Sequence, residues 1–153
     1  MKRVALPLLT LCLWVALPAQ ADIYVVASAQ SPLKAGSVKD IQALFMGRTR
    51  TLGDENTVAQ PVDLPRDNEL RNQFYKLITG WSPAQVNSYW ARLLFTGQVT
   101  PPLPLPTETA VVAHLSRNPK SVGYLPQPPV DGKLKVLLVL RADAEPDDPR
   151  RGP

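Results

Sequence analysis

A run of five consecutive apolar residues at positions 23–27 (IYVVA) most constrains how this chain can fold. Its β-branched and aromatic side chains are typical of a strand that is buried on both faces, because a strand with one face in water would alternate apolar and polar residues. We therefore expect residues 23–27 to form a central strand of a sheet.

Helices are predicted between this strand and several later ones. Four segments with helical spacing of apolar residues each begin at side chains that can cap a helix: Ser37, Asp67 or Asn68, Ser82, and Thr107. Short apolar runs that predict strands occupy residues 62–64, 121–125 and 134–140. Strands that alternate with helices predict an α/β fold in which a mainly parallel sheet is flanked by helices.

Two connections are predicted to be less regular. Residues 49–52 and 57–61 flank a cluster of turn-forming residues and are expected to form a small hairpin or an irregular excursion. Four prolines then enforce an extended connection, since proline fits neither a helix interior nor a central strand: Pro101, Pro102, Pro104 and Pro106.

The first 21 residues have the features of a cleavable secretory signal peptide. Lys2 and Arg3 precede an apolar run that is too short for a membrane span, and small residues before position 22 fit the Ala-x-Ala cleavage pattern. We predict cleavage after Ala21 and export. Residues 22–140 then form one domain, and the charged, proline-rich residues 141–153 are predicted to be a disordered tail.

Removal of this segment changes the composition that matters for function. A lipoprotein signal at Cys12 is the alternative, but it would shorten the apolar core and place the bulky Leu11 where a small residue is expected. Cys12 is the only cysteine, so cleavage after Ala21 excludes disulfides and thiolate chemistry. Because Lys2 and Arg3 leave as well, the formal net charge falls from +4 to +2, and no basic cluster remains for nucleic acid.

Catalytic and cofactor motifs are lacking in the sequence. His114 is the only histidine, and no Gly-x-Ser-x-Gly elbow accompanies it. The acids are not at metal-ligand spacing, and neither a Walker lysine motif nor Gly-x-Gly-x-x-Gly occurs. We therefore expect a non-enzymatic protein without a metal or cofactor.

Candidate ligand-binding residues lie where strands lead into helices. In open α/β sheets ligands bind at the carboxyl ends of strands, and helix N-termini favour anions. The candidates are Ser28, Arg48, Arg66, Asn68 and Arg71. The alternative is that Arg66 and Arg71 are ordinary surface charges that pair with Asp67 and Glu69.

The order of several motifs resembles that of the periplasmic phosphate-binding proteins of ABC importers. The resemblance covers residues 22–126 and rests on the helix KDIQALFMG at 39–47, Pro61-Val62-Asp63 before Arg71-x-x-Phe74, Phe95-Thr96-Gly97, and SVGYL at 121–125. It implies a periplasmic-binding-protein-like fold. It also implies reversible binding of phosphate or a similar small anion, for ABC uptake or sensing.

Two departures from the family leave a second function open. Receptors of this family have two lobes, whereas this chain has room for one, and their Ser-Gly-Thr turn at the helix start is replaced by Asp67-Asn68-Glu69. Carboxylates at a helix N-terminus compete with an anionic ligand. The alternative is a ligand-free periplasmic module that docks on a sensor or an envelope assembly. Under either reading, the partners implied are an ABC permease or a sensor, with no membrane span after signal cleavage.

Overall fold

The computed structural model describes residues 21–53, 57–97 and 99–142. The predicted signal peptide, apart from Ala21, and the tail from residue 143 lie outside these ranges. The elements are, in order, β1 (Ile23–Ser28), α1 (Val38–Phe45), β2 (Thr51–Leu52), β3 (Thr57–Val58), β4 (Gln60–Asp63), α2 (Glu69–Thr79), α3 (Pro83–Thr96), β5 (Leu103–Pro104), α4 (Glu108–Arg117), β6 (Ser121–Leu125) and β7 (Leu134–Leu140). Among the described helices, none is long and apolar enough to cross a membrane.

The four helix starts predicted from the sequence are confirmed. In each case a side-chain oxygen before the helix accepts a backbone N–H from the first turn, and the capping residues are Ser37, Asn68, Ser82 and Thr107. Local sequence therefore determines where these helices begin. The predicted hairpin also forms, as a pairing of β2 with β3.

The main sheet has five strands in the order β5-β4-β6-β1-β7. β4 is parallel to β5 and β6, whereas β1 is antiparallel to both β6 and β7. Four of the five strands consequently point the same way, so the mainly parallel sheet is confirmed, with β1 as the exception. As expected, β1 is an interior strand with buried residues on both faces.

Helices cover both faces of the sheet, as successive residues of β6 demonstrate. Gly123 faces α4 so closely that an added Cβ would lie 2.9 Å from Val111 Cγ1. The next side chain, Tyr124, points to the other face and stacks on Phe74 of α2, with ring centroids 3.9 Å apart and planes 6° apart. Phe45 of α1 contacts the same Phe74 ring at 4.8 Å.

Candidate anion site at the start of helix α2

A buried carboxylate organises the junction between β4 and α2. Asp63 is the last residue of β4 and is 6% exposed. Its Oδ1 accepts hydrogen bonds from Leu64 N at 2.8 Å and Tyr124 Oη at 2.5 Å. Its Oδ2 accepts from Arg71 Nε at 2.9 Å and Tyr75 Oη at 3.0 Å. Four donors therefore converge on one side chain.

Arg71 is held in place by this carboxylate and is not available to a ligand. It is 4% exposed, and its guanidinium carbon lies 4.7 Å from the centroid of the Tyr75 ring. Its Nη1 also donates to Asn87 Oδ1 on α3 at 3.4 Å. The expectation that Arg71 pairs on the surface with Asp67 or Glu69 is wrong, because Asp63 neutralises it in the interior. The pair ties β4, α2 and α3 together.

The two tyrosines keep their protons at neutral pH. Burial, and after it the negative charge of Asp63, raises the pKa of Tyr75 well above its ordinary value. The same two causes raise the pKa of Tyr124. Both hydroxyls therefore act as donors to Asp63, and the carboxylate keeps its full set of partners. These hydrogen bonds hold the turn that follows β4 in place.

The exposed start of α2 follows Asp63 closely in the chain. The Oδ1 of Asn68 accepts Arg71 N at 3.1 Å, whereas the amides of Glu69 and Leu70 have no hydrogen-bond acceptor among the described residues. Arg66 is exposed, and in the described part of the chain it forms no ion pair. Asp67 and Glu69 are exposed too. The site offers one free cation and two amides, and two carboxylates oppose an anion there.

The remaining two candidates lie elsewhere. Because β1 runs opposite to β4, Ser28 lies at the end of the sheet where β4 and β6 begin, near their amino termini. It is 2% exposed, and its Oγ accepts Gln30 N at 3.3 Å. Arg48 is exposed, and its segment is fixed near the amino end of β4 by a 2.9 Å bond from Ala59 N to Arg50 O. The structure thus groups Arg66, Asn68 and Arg71, and it separates Ser28 and Arg48 from them.

Sequence reasoning missed the partners of Arg71, although a signal for them exists. The buried residues of α2 include Arg71, Phe74, Tyr75 and Ile78, which follow helical spacing. An arginine within an apolar stripe requires a buried acid, since an unpaired charge in a core is strongly unfavourable. Asp63, at the end of the preceding strand, is the nearest acid in the sequence that is buried.

Other polar groups do not extend this site. His114 Nε2 lies 3.2 Å from Ser121 Oγ. Ser121 is at the start of β6, so this pair lies at the end of the sheet opposite to Asp63. Within the described ranges, no three His, Cys, Asp or Glu side chains are grouped to hold a metal. Two cavities of about 400 and 440 Å³ are lined by the proline connection and by the loop at 126–131. Neither is lined by residues 63–71.

Comparisons with known proteins identify the fold. No protein-family model matches the chain, and no curated protein matches it significantly in sequence. A protein from Clostridium perfringens assigned as a phosphate ABC transporter substrate-binding protein, with bound phosphate, matches at TM-score 0.59 and 13% identity, over 78% of this chain and 46% of that one. An ABC-type phosphate transport receptor from Vibrio cholerae matches at 0.56 and 15%, over 78% and 47%. PstS from Borrelia burgdorferi matches at 0.51 and 10%, over 70% and 42%.

These identities support a shared fold only. The periplasmic-binding-protein-like architecture predicted from the motifs is confirmed by the two structures that match with the higher TM-scores. The chain spans less than half the length of each of these solved structures.

Proposed function

We propose that this chain is an exported, non-catalytic binding lobe that binds phosphate or another small oxyanion at the start of α2. The observation that carries the proposal is the exposed Arg66 three residues before Glu69, together with the amides of Glu69 and Leu70, which have no acceptor among the described residues. The fold shared with phosphate receptors supports it. Export follows from the predicted signal peptide at residues 1–21.

Binding would use the two kinds of donor that anions prefer. Amides at a helix N-terminus point toward a ligand along the helix dipole, and a guanidinium gives charge-assisted hydrogen bonds. Asp67 and Glu69 repel the same ligand, so the affinity is weak, with a Kd on the order of 1 mM. Because the two carboxylates outnumber the one guanidinium, the net repulsion grows with ligand charge, and a monoanion is preferred over a dianion. No covalent bond is made or broken.

Calorimetric titration of the purified protein with phosphate tests the proposal. Arg66→Ala should abolish the heat of binding, because it removes the exposed cation of the site. Arg92→Ala is the matched control, since Arg92 is an exposed arginine on α3. Asp67→Asn combined with Glu69→Gln should tighten binding by about tenfold. The proposal would be refuted by equal heats of binding for the wild type and the Arg66 variant. It would also be refuted if the wild type gave no heat of binding at millimolar phosphate.

A second function is favoured by the outer surface of α3. Phe95 is 95% exposed and Leu94 is 45% exposed near the end of this helix. Aromatic side chains that stand in water are common anchors of protein interfaces. Together with the internal neutralisation of Arg71, this surface favours a ligand-free module that docks on a sensor or an envelope assembly.

The two functions can be separated with one pair of variants. If docking is the function, Phe95→Ser loses its partner in a pull-down from periplasmic extract, and Arg66→Ala retains it. If anion binding serves ABC uptake, the partner is a permease, and both phosphate and Arg66 are needed for its recruitment. A wild-type protein that captures nothing would count against docking.

A further inference from the structure

The two edges of the main sheet are built in opposite ways. β5, at one edge, has two residues and lies among Pro101, Pro102, Pro104 and Pro106, which block pairing with a further strand. β7, at the other edge, has seven residues, LKVLLVL, with no proline. Among the described residues, its outer side has no neighbouring strand.

Lys135, the one charged residue of β7, does not prevent pairing at this edge. Lysine on an edge strand often prevents association by keeping its charge in water. Here the Lys135 Nζ instead donates to the Ser31 carbonyl at 2.6 Å, which holds the side chain back on its own domain. Val136 and Val139 remain 40% and 37% exposed.

A β-bulge gives β7 an unusual spacing. Val136 pairs with Val26 and Val139 pairs with Tyr24, so three residue-to-residue steps along β7 correspond to two steps along β1. Both valines therefore point to the same face of the sheet. A regular strand could not keep its residues in register with β7 on both sides of the bulge. Bulges discourage pairing with unrelated strands in this way. A second copy of β7 has the same contour.

We propose that β7 pairs with β7 of a second copy of this chain, antiparallel about a two-fold axis between Leu137 and Leu138. In this register Val136 of each copy lies opposite Val139 of the other, and the four exposed valines form one apolar cluster. Lys135 lies opposite Leu140, so the two Lys135 side chains are at opposite ends. The two sheets become one continuous sheet of ten strands.

Opposite charges meet at the two ends of the paired strands, together with Arg141, which lies opposite Leu134 in this register. Lys133 of one copy lies opposite Ala142 of the other, whose N–H donates to Asp22 Oδ1 at 3.4 Å. Lys133 pairs only loosely within its own copy, at 3.8 Å from Asp131, and its side chain is 67% exposed. A basic group of one copy thus approaches an acidic group of the other at both ends.

The oligomeric state in solution tests this interface. Sedimentation velocity on protein expressed from residues 1–153, over about 1 to 200 μM, should give a monomer–dimer equilibrium. Val136→Lys combined with Val139→Lys changes four side chains in the dimer and should weaken it by about 100-fold. Val58→Lys is the matched control, because Val58 is 59% exposed on β3, away from the edge. Circular dichroism spectra establish that each variant is folded.

Cysteine cross-linking tests the register. An oxidised mixture of the Val136→Cys and Val139→Cys proteins should give a covalent heterodimer with a 136–139 disulfide in the mass spectrum, and a mixture of Val136→Cys with Val58→Cys should not. A wild type that stays monomeric at the highest concentration overturns the proposal, including when the chain's own tail covers β7. A dimer unaffected by the lysine pair overturns it too, because another surface would then be responsible.

Discussion

Replacement of Asp63 by asparagine should destabilise the domain strongly, although it preserves the size of the side chain. The substitution removes one negative charge from a site where four donors converge. An amide has one oxygen, so its NH₂ group must face donors that previously met a carboxylate oxygen. Arg71, which is 4% exposed, loses its counter-charge.

The expected loss follows from the burial of the pair. The side chains of Asp63 and Arg71 are 8% and 5% exposed and 2.9 Å apart. Removal of one partner from such a pair costs about 3–5 kcal/mol, because the remaining charge stays buried. Domains of this size have unfolding free energies of about 5–15 kcal/mol, so the variant loses a large share of its stability.

Urea unfolding at neutral pH, followed by tryptophan fluorescence, measures the effect. The midpoint should fall by roughly 2 M for Asp63→Asn. Asp131→Asn is the control, since Asp131 belongs to an exposed pair at 3.8 Å and should lose less than about 1 kcal/mol. Addition of Arg71→Met to Asp63→Asn should restore part of the stability, because the unpaired guanidinium is gone. A loss below about 1 kcal/mol for Asp63→Asn would refute the role assigned to this carboxylate.

Two further predictions concern the two faces of the sheet. Because folding raises the pKa of Tyr75 and Tyr124 above their ordinary value of 10.0, their contribution to stability is complete below that pH and is lost as the pH rises above it. Each tyrosine should add about 1.4 kcal/mol per pH unit to this decline, and urea titrations between pH 9 and about pH 12 should give a shallower decline for Tyr124→Phe. Gly123→Ala should lose about 1–3 kcal/mol in thermal unfolding, since the new Cβ would lie 2.9 Å from Val111 Cγ1; an unchanged melting temperature would show that α4 can move aside.

Much of the fold could be predicted because its signals are local. The caps at Ser37 and Ser82 are read from a few adjacent residues, and the helices begin there. The apolar run at 23–27 identified an interior strand for a similar reason, since burial on both faces leaves a mark on the run itself.

What could not be predicted depends on distant pairing. The direction of β1 is determined by its ladder with β6, about 100 residues later in the sequence, so its reversal left no local signal. The position of Ser28 depended on that direction. Likewise, the hydrogen bond from Tyr124 to Asp63 joins residues that are 61 positions apart, so no local signal could place Tyr124 beside the Asp63–Arg71 pair.

The proposed anion site is tested most directly by the backbone amide resonances of the protein during a titration with phosphate. If the oxyanion binds at the start of α2, the Glu69 and Leu70 resonances shift in a saturable way, and Arg66→Ala removes these shifts. Unchanged Glu69 and Leu70 resonances at saturating phosphate, or saturable shifts confined to another part of the chain, would contradict the proposal.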